Sequence, residues 1–270
     1  MSTSSIIYLM YHELEVPGRT LCNSEPGYAR YVVLECEFRE QIDFLKARGY
    51  RGLSVGRALA FPEESNTSTR AGTNICITFD DGSETDLLSA APILHQAGFG
   101  ATFYITAGWL GNPGHLSALQ LKELSAQGFE IGCHSMTHPL LTDLDEGGLQ
   151  REIADAKLQL EQIVGRPVDH FSCPGGRCDD RVVSVARAAG YRTVATSRIH
   201  ANSPDTDLFA LGRVAILRGM PVKAFAAICS GDALRRLSAQ GTLRDAAKQL
   251  LGNSFYDRVR EVLLGGRRAQ

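Results

Sequence analysis

With 270 residues, 44% of them hydrophobic and 21% charged, the chain can fill one large α/β core or two small ones. A formal net charge of −2 gives no global attraction to nucleic acid or to an anionic membrane. No apolar run approaches the roughly 18 residues of a membrane span. The opening MSTSSIIYLMYHE lacks a basic stretch and reads as a first strand rather than a signal peptide, which implies a cytoplasmic protein.

In chain order the pattern predicts strand 6–11, a loop-like segment 13–35, helix 37–48, strand 50–55 and a polar loop 61–73. Strand 74–80, helix 84–97, strand 100–107, helix 117–127 and strand 129–134 follow. Helix 146–164, strand 169–174, helix 180–189, strands 192–197 and 211–216 and helix 221–229 complete the set. The clearest helix, 146–164, has Leu149, Ile153, Ala156, Leu160 and Ile163 on one face and is stopped by Gly165 and Pro167.

A helical stretch, a glycine, an aromatic and a strand-like run recur at Gly49, Gly98, Gly128 and Gly190. Glycine past a helix end closes it in the left-handed conformation, and the aromatic then opens the next strand. Such repeated units imply a parallel sheet, and eight strands favour closure. The expected architecture is α/β: a single deformed, TIM-like β/α barrel of seven to eight strands over 1–230.

The tail, 231–270, reads as helical and locally basic, with eight Arg or Lys against four Asp or Glu. Leu250, Leu251, Tyr256, Val259, Val262 and Leu263 give it an apolar side that packs on the barrel or makes a weak membrane-surface or partner contact. Of seven cysteines, Cys76, Cys133 and Cys173 fall in apolar strands and read as reduced core thiols. A redox pair or metal clip of Cys173 and Cys178 is the lesser reading, because their spacing is not C-x-x-C.

The reactive residues fall at strand ends. His12 ends the first strand, Asp80 and Asp81 end NICITFDDG, His134 ends FEIGCHS, and Pro174-Gly175-Gly176 ends HFSCPGG. In a parallel barrel these ends form the active rim. Adjacent carboxylates point different ways, so one can bind a metal while the other addresses a water. Asp-Gly is also a common turn pair, but burying two uncompensated carboxylates is costly, which favours a metal.

His134 and His138 stand i, i+4 apart, so a helical turn after the strand places both rings on one face. The plainer reading is one helix-start and one surface histidine. Two imidazoles and a carboxylate leave positions open for water and substrate, with zinc about 2.0–2.2 Å from each donor. The same donors suit a non-haem iron oxygenase; Asp80 beside them and the polar rim favour hydrolysis.

TFDDG, H-S/T-x-x-H and the later Pro-Tyr/Gly-Gly strand end together resemble the polysaccharide deacetylases of carbohydrate esterase family four. The early Tyr-His strand end resembles its exopolysaccharide-type subset. The resemblance covers about residues 6–220 and is strongest at 74–109, 129–140 and 169–191. It implies a deformed β/α barrel that removes N-acetyl groups from amino-sugar polymers or acts on related amides. It implies one divalent metal, zinc first, with cobalt, nickel or manganese as alternatives.

Carried over, Asp80 resembles the catalytic base, and Asp81, His134 and His138 resemble the metal ligands. The metal then polarises the amide carbonyl and a bound water, and Asp80 takes the water's proton. The backbone near Gly175, after Pro174, helps hold the oxyanion, and glycine there lets substrate approach closely.

Three departures stand out. The third motif of the family starts with an Arg that holds the base, and Ser172 stands there. Arg177 or Arg213 can supply that charge, against the plainer reading of each as a surface or structural arginine. No Asp-Trp motif is evident; the single tryptophan, Trp109, lines the sugar site or caps the core. The late Leu-x-His of the general acid is missing from LGRVAILRGM. His12 is the better replacement, with His200 read as a solvated loop residue.

The function expected is metal-dependent N-deacetylation of an amino sugar in a polysaccharide or glycan precursor. The nearest rival is a small-molecule amide hydrolase on the same scaffold; an open groove favours polymer and a closed pocket a small molecule. A catalytically inactive sugar-binding protein is the third reading, and retention of Asp80 weighs against it.

Overall fold

The computed structural model describes residues 5–23, 26–64 and 73–239. Ten strands occur in this order: β1 (Ile7–Tyr11), β2 (Leu14–Glu15), β3 (Val33–Leu34), β4 (Arg51–Leu53), β5 (Asn74–Phe79), β6 (Thr102–Ile105), β7 (Glu130–Cys133), β8 (His170–Ser172), β9 (Thr193–Ala195) and β10 (Val214–Ala215). Eight form one parallel sheet in the order β10-β1-β5-β6-β7-β8-β9, with β4 paired to β5 off that path. A parallel bridge between Ala195 and Leu211 joins β9 to the segment entering β10, so the seven-stranded path returns on itself.

The deformation has a local cause. β4 pairs with the first half of β5, through Gly52 opposite Ile75, while β6 pairs with its second half, through Phe103 opposite Phe79. β4 is thus wedged between them at the N-terminal end. All eight predicted strands occur, each shorter than its apolar run. The loop-like segment holds more than expected, because β2 and β3 pair there in parallel and Pro26–Ala29 is helical.

Alternation along the strands sets up two apolar layers. Ile7, Leu9, Tyr11, Ile75, Ile77 and Phe79 pack outward in the main core. Ile6, Tyr8, Cys76, Tyr104 and Ala195 fill a smaller cluster inside the barrel. Residues in phase with the inner set therefore reach the rim from within.

The helical connections match the repeat that the sequence displays. Gly49, Gly98, Gly128 and Gly190 all have φ between 74° and 91°. Tyr50, Phe99 and Tyr191 each donate a backbone N–H to the carbonyl five residues back, closing the helix before them. Helix Glu35–Ala47, helix Ala118–Ala126 with its Ser117 cap, helix Asp180–Ala188 and helix Val222–Cys229 fall where predicted.

Two predicted helices carry an irregularity. The 84–97 helix opens with a π turn at Asp86–Ala90 before the α-helix Ala91–Ala97. The 146–164 helix contains a π turn at Arg151–Asp155 between Glu146–Gln150 and Ala156–Val164. The polar loop at 61–73 is a correction at its start, since helix Val55–Glu64 runs into it. The Ser54 hydroxyl accepts the Arg57 N–H and caps that helix, which also ends the predicted strand 50–55 early. Residues 65–72 of the loop, and 240–270 of the proposed tail, lie outside the described residues; 234–239 are helical. No helix among the described residues is long and apolar enough to cross a membrane. All seven cysteines are free thiols, with Cys76, Cys133, Cys173 and Cys229 buried.

Candidate active site

Strand phase delivers the side chains. Asp80 follows Cys76 and Thr78 on the lumen-facing set, His134 follows Gly132, and His12 follows Tyr8 and Met10. Asp81, next in the chain, would turn outward in an extended strand. Its φ of 80° turns the chain there instead, in a conformation that aspartate tolerates better than most residues. Nε2 of His134 and Nε2 of His138 each lie 3.5 Å from Oδ1 of Asp81. One donor atom from each of the three lies within 4.8 Å of the others.

The local conformation at HSMTH corrects the expected helical turn. The segment is not helical; Ser135 and His138 both take positive φ, 69° and 63°. The Ser135 hydroxyl accepts the His138 N–H at 2.9 Å and closes a tight bend. Carboxylate oxygens of Glu152 accept the N–H groups of Met136 (3.0 Å) and Thr137 (2.8 Å) and the Thr137 hydroxyl (2.6 Å). The two rings converge because the loop is pinned.

Asp80 is held differently. Nη1 of Arg213 donates to Oδ1 at 2.7 Å and Nη2 to Oδ2 at 2.8 Å, a forked pair with both partners buried. Arg213 also donates to the Ser172 hydroxyl (2.7 Å) and, through Nε, to the Thr196 carbonyl (3.1 Å), and it lies over the Tyr104 ring. Burial alone would raise the Asp80 pKa, but the guanidinium charge and its bonds outweigh burial and hold the carboxyl well below the usual range. The missing Arg is therefore supplied by Arg213 from just before β10, with Ser172 braced between. Arg213 is no surface residue, being 1% exposed. Arg177 is not among the ion-pair or hydrogen-bond partners of Asp80.

The donor cluster suits a cation. The Nδ1–H of His134 donates to the Ser172 carbonyl at 2.8 Å, which leaves Nε2 free. Burial lowers the His134 pKa to about 3 and lowers that of His138 too, which favours the neutral, ligating form of both rings. Burial pushes Asp81 up to about 6; His12 opposes this, and Asp80 and Glu13 add to it. Oδ1 of Asp81 is buried with no hydrogen-bond partner, an orphaned oxygen between two free imidazole nitrogens. The residues fit a single divalent ion.

These groups open into a cavity of about 630 Å³ that is also lined by His12, Tyr28, Arg30, Tyr31, Gly175 and Gly176. Nδ1 of His12 is buried without a partner, and its ring lies 4.7 Å from that of Tyr31. Pro174 is buried behind Gly175. A Cβ on Gly176 would come within 2.0 Å of the Ser197 hydroxyl, so only glycine lets the chain turn there. Trp109 is not in this wall; it stacks on His138 from the side, 5.1 Å between ring centroids. His200 packs on Gly212, away from the cavity. Strand-end reasoning found the rim residues and missed Glu152, which stands three residues after Leu149 on the apolar face of its helix.

A parallel β/α barrel with two carboxylates and two histidines converging on its C-terminal rim has the layout of a barrel-enzyme active site. The model of the polysaccharide deacetylase family matches residues 67–194. YxkH of Bacillus subtilis (strain 168), which is named with the polysaccharide deacetylases, is 30% identical over 192 residues, covering 71% of this chain and 68% of YxkH. The chain belongs to the polysaccharide deacetylase family. A peptidoglycan-N-acetylglucosamine deacetylase of Bacillus cereus is 34% identical over 121 residues, 44% of this chain and 54% of that protein. The chain thus spans about half the length of that relative. The deacetylase PplD of Streptococcus pyogenes, solved with acetate, superposes with a TM-score of 0.73 at 25% identity, covering 84% of this chain and 99% of PplD.

Proposed function

We propose that the chain removes an N-acyl group, N-acetyl first, from an amino sugar of a glycan, as a metal-dependent hydrolase. The observation that carries this reading is the division of labour between adjacent aspartates: Asp81 faces two free imidazole nitrogens, while Asp80 is forked by Arg213. Asp81, His134 and His138 would hold one divalent ion, with zinc favoured by the nitrogen-rich donor set. The bound ion would polarise the amide carbonyl and acidify a water, which a base as weak as the Arg213-held Asp80 requires.

Asp80 then stays ionised and takes the water's proton as its oxygen bonds to the carbonyl carbon. The Gly175 backbone, which lines the cavity, would help hold the developing oxyanion. His12 gives a proton to the nitrogen as the C–N bond breaks, releasing the carboxylic acid and a free amine. Trp109 holds the His138 ring from the side.

The test is mass spectrometry on N-acetylated mono- and oligosaccharides with added Zn²⁺: loss of one acetyl is expected, and no loss on any substrate would overturn the reading. A cavity of about 630 Å³ lies within the roughly 300–1,000 Å³ of small-ligand sites. This supports a second reading, an amide on a small amino sugar, which the same panel resolves by whether rate rises with oligosaccharide length. In calorimetry, His134→Ala and His138→Ala together should abolish stoichiometric Zn²⁺ binding; metal retained by the double variant refutes the ligand set.

His12 is tested by leaving group. An amine must be protonated to depart, whereas the phenolate of an activated aryl ester need not be. His12→Ala should therefore lose far more activity on an N-acetyl sugar than on an aryl acetate. Equal losses on both would assign His12 to support of the site and not to proton delivery.

A further inference from the structure

The geometry points to Glu152 as a positioning residue: its carboxylate, brought inward by a π turn, presets the His134–His138 loop for a metal ion. The inference rests on the metal-site reading above and adds to it a residue from outside the rim.

Three observations converge. First, the loop has no secondary structure of its own to hold it. It leaves β7, takes positive φ at Ser135 and again at His138, and still brings the rings of His134 and His138 to 5.0 Å. Positive φ at serine and histidine is uncommon, and a surrounding structure must fix it. Second, the two N–H groups between those residues, on Met136 and Thr137, both go to Oε2 of Glu152, and the Thr137 hydroxyl goes to Oε1. One carboxylate thus binds the whole crest of the bend.

Third, the helix is built to deliver it. Glu152, Ile153 and Ala154 are buried in succession. Three successive residues of a regular α-helix spread over about 200° at 3.6 residues per turn, too wide for one packed face. The π turn at Arg151–Asp155 widens the helix there, so Ile153 keeps its place in the core while Glu152 reaches the loop. A glutamate on an apolar helix face would otherwise be an unpaired buried charge.

Reach and charge can be separated. Glu152→Gln removes the charge but keeps the length; its carbonyl accepts the two N–H groups and its amide donates to the Thr137 oxygen. Glu152→Asp keeps the charge and is one methylene too short. Zn²⁺ is titrated calorimetrically into the metal-free full chain, with hydrogen exchange at the Met136 and Thr137 amides as a readout independent of metal and of activity. Glu152→Gln should bind Zn²⁺ within about threefold of wild type with both amides protected. Glu152→Asp should weaken binding about 10–100-fold, as loss of an outer partner does, with both amides exchanging faster and the helix core protected.

Tight binding by the Asp variant with weak binding by the Gln variant would make the charge, not the anchor, responsible, and would overturn the inference. Wild-type affinity in both would overturn it too. A wild-type chain that takes no Zn²⁺ instead sinks the metal-site reading itself, a result separate from either.

Discussion

Asp80→Asn should cut turnover by about 10²–10⁴, the usual cost of losing a general base, while Zn²⁺ affinity stays near that of wild type. The asparagine keeps the shape of the side chain and an oxygen for Arg213, so the site should stay assembled. The nearest imidazole nitrogen is 3.8 Å from Oδ2 of Asp80, against 3.5 Å from Asp81, and Arg213 already occupies both oxygens of Asp80. Steady-state rates on an N-acetyl sugar, beside calorimetric Zn²⁺ titration, read the two properties separately. Near-normal turnover would reverse the roles given to the two aspartates, as would loss of metal with loss of rate.

Arg213→Met should destabilise the metal-free fold by about 3–5 kcal/mol, because it leaves a carboxylate buried without its partner. Urea denaturation at neutral pH measures this, and adding Asp80→Asn should return part of the loss by removing the stranded charge. The pH dependence follows from the direction of the shift. In the wild type the Asp80 pKa is depressed in the folded state, so its contribution is present above the unfolded carboxylate pKa and is lost as pH falls through the lower folded value. Without Arg213, burial dominates and raises the folded pKa. The variant therefore recovers stability as pH falls toward 4, and its gap to wild type narrows. A gap that is constant with pH, or a loss below about 1 kcal/mol, would mean that the pair contributes little.

Those residues also mark how far the sequence could be read. Strand ends were legible because apolar runs stop abruptly at TFDDG and FEIGCHS, and the barrel rule turns a strand end into a rim position. Helices were legible where apolar spacing held, as in 146–164. Arg213 was ambiguous, since it stands below the rim, before its strand and not after it, and a buried arginine is recognised only by its partner. The HSMTH bend was misread because i, i+4 spacing fits a helical turn equally well. Two left-handed residues and a distant glutamate decided otherwise, and neither registers as spacing. The Val55–Glu64 helix was hidden because its cap, Ser54, sits inside the run read as strand 50–55 and its last turn enters the polar stretch from 61.

The ring of strands is closed between β9 and β10 by the Ala195–Leu211 bridge and a few backbone bonds around it, whereas β1 and β5 share five paired residues. Arg213 stands at that join, tied to Thr196 on one side and to Asp80 on the other. Local opening starts where few contacts must break, so warming should part the barrel along this line before the rest melts. Asp80 would then lose the guanidinium that keeps it ionised while most of the sheet remained intact. Thermal inactivation should accordingly precede thermal unfolding, and a cross-link across the join should bring the two temperatures together.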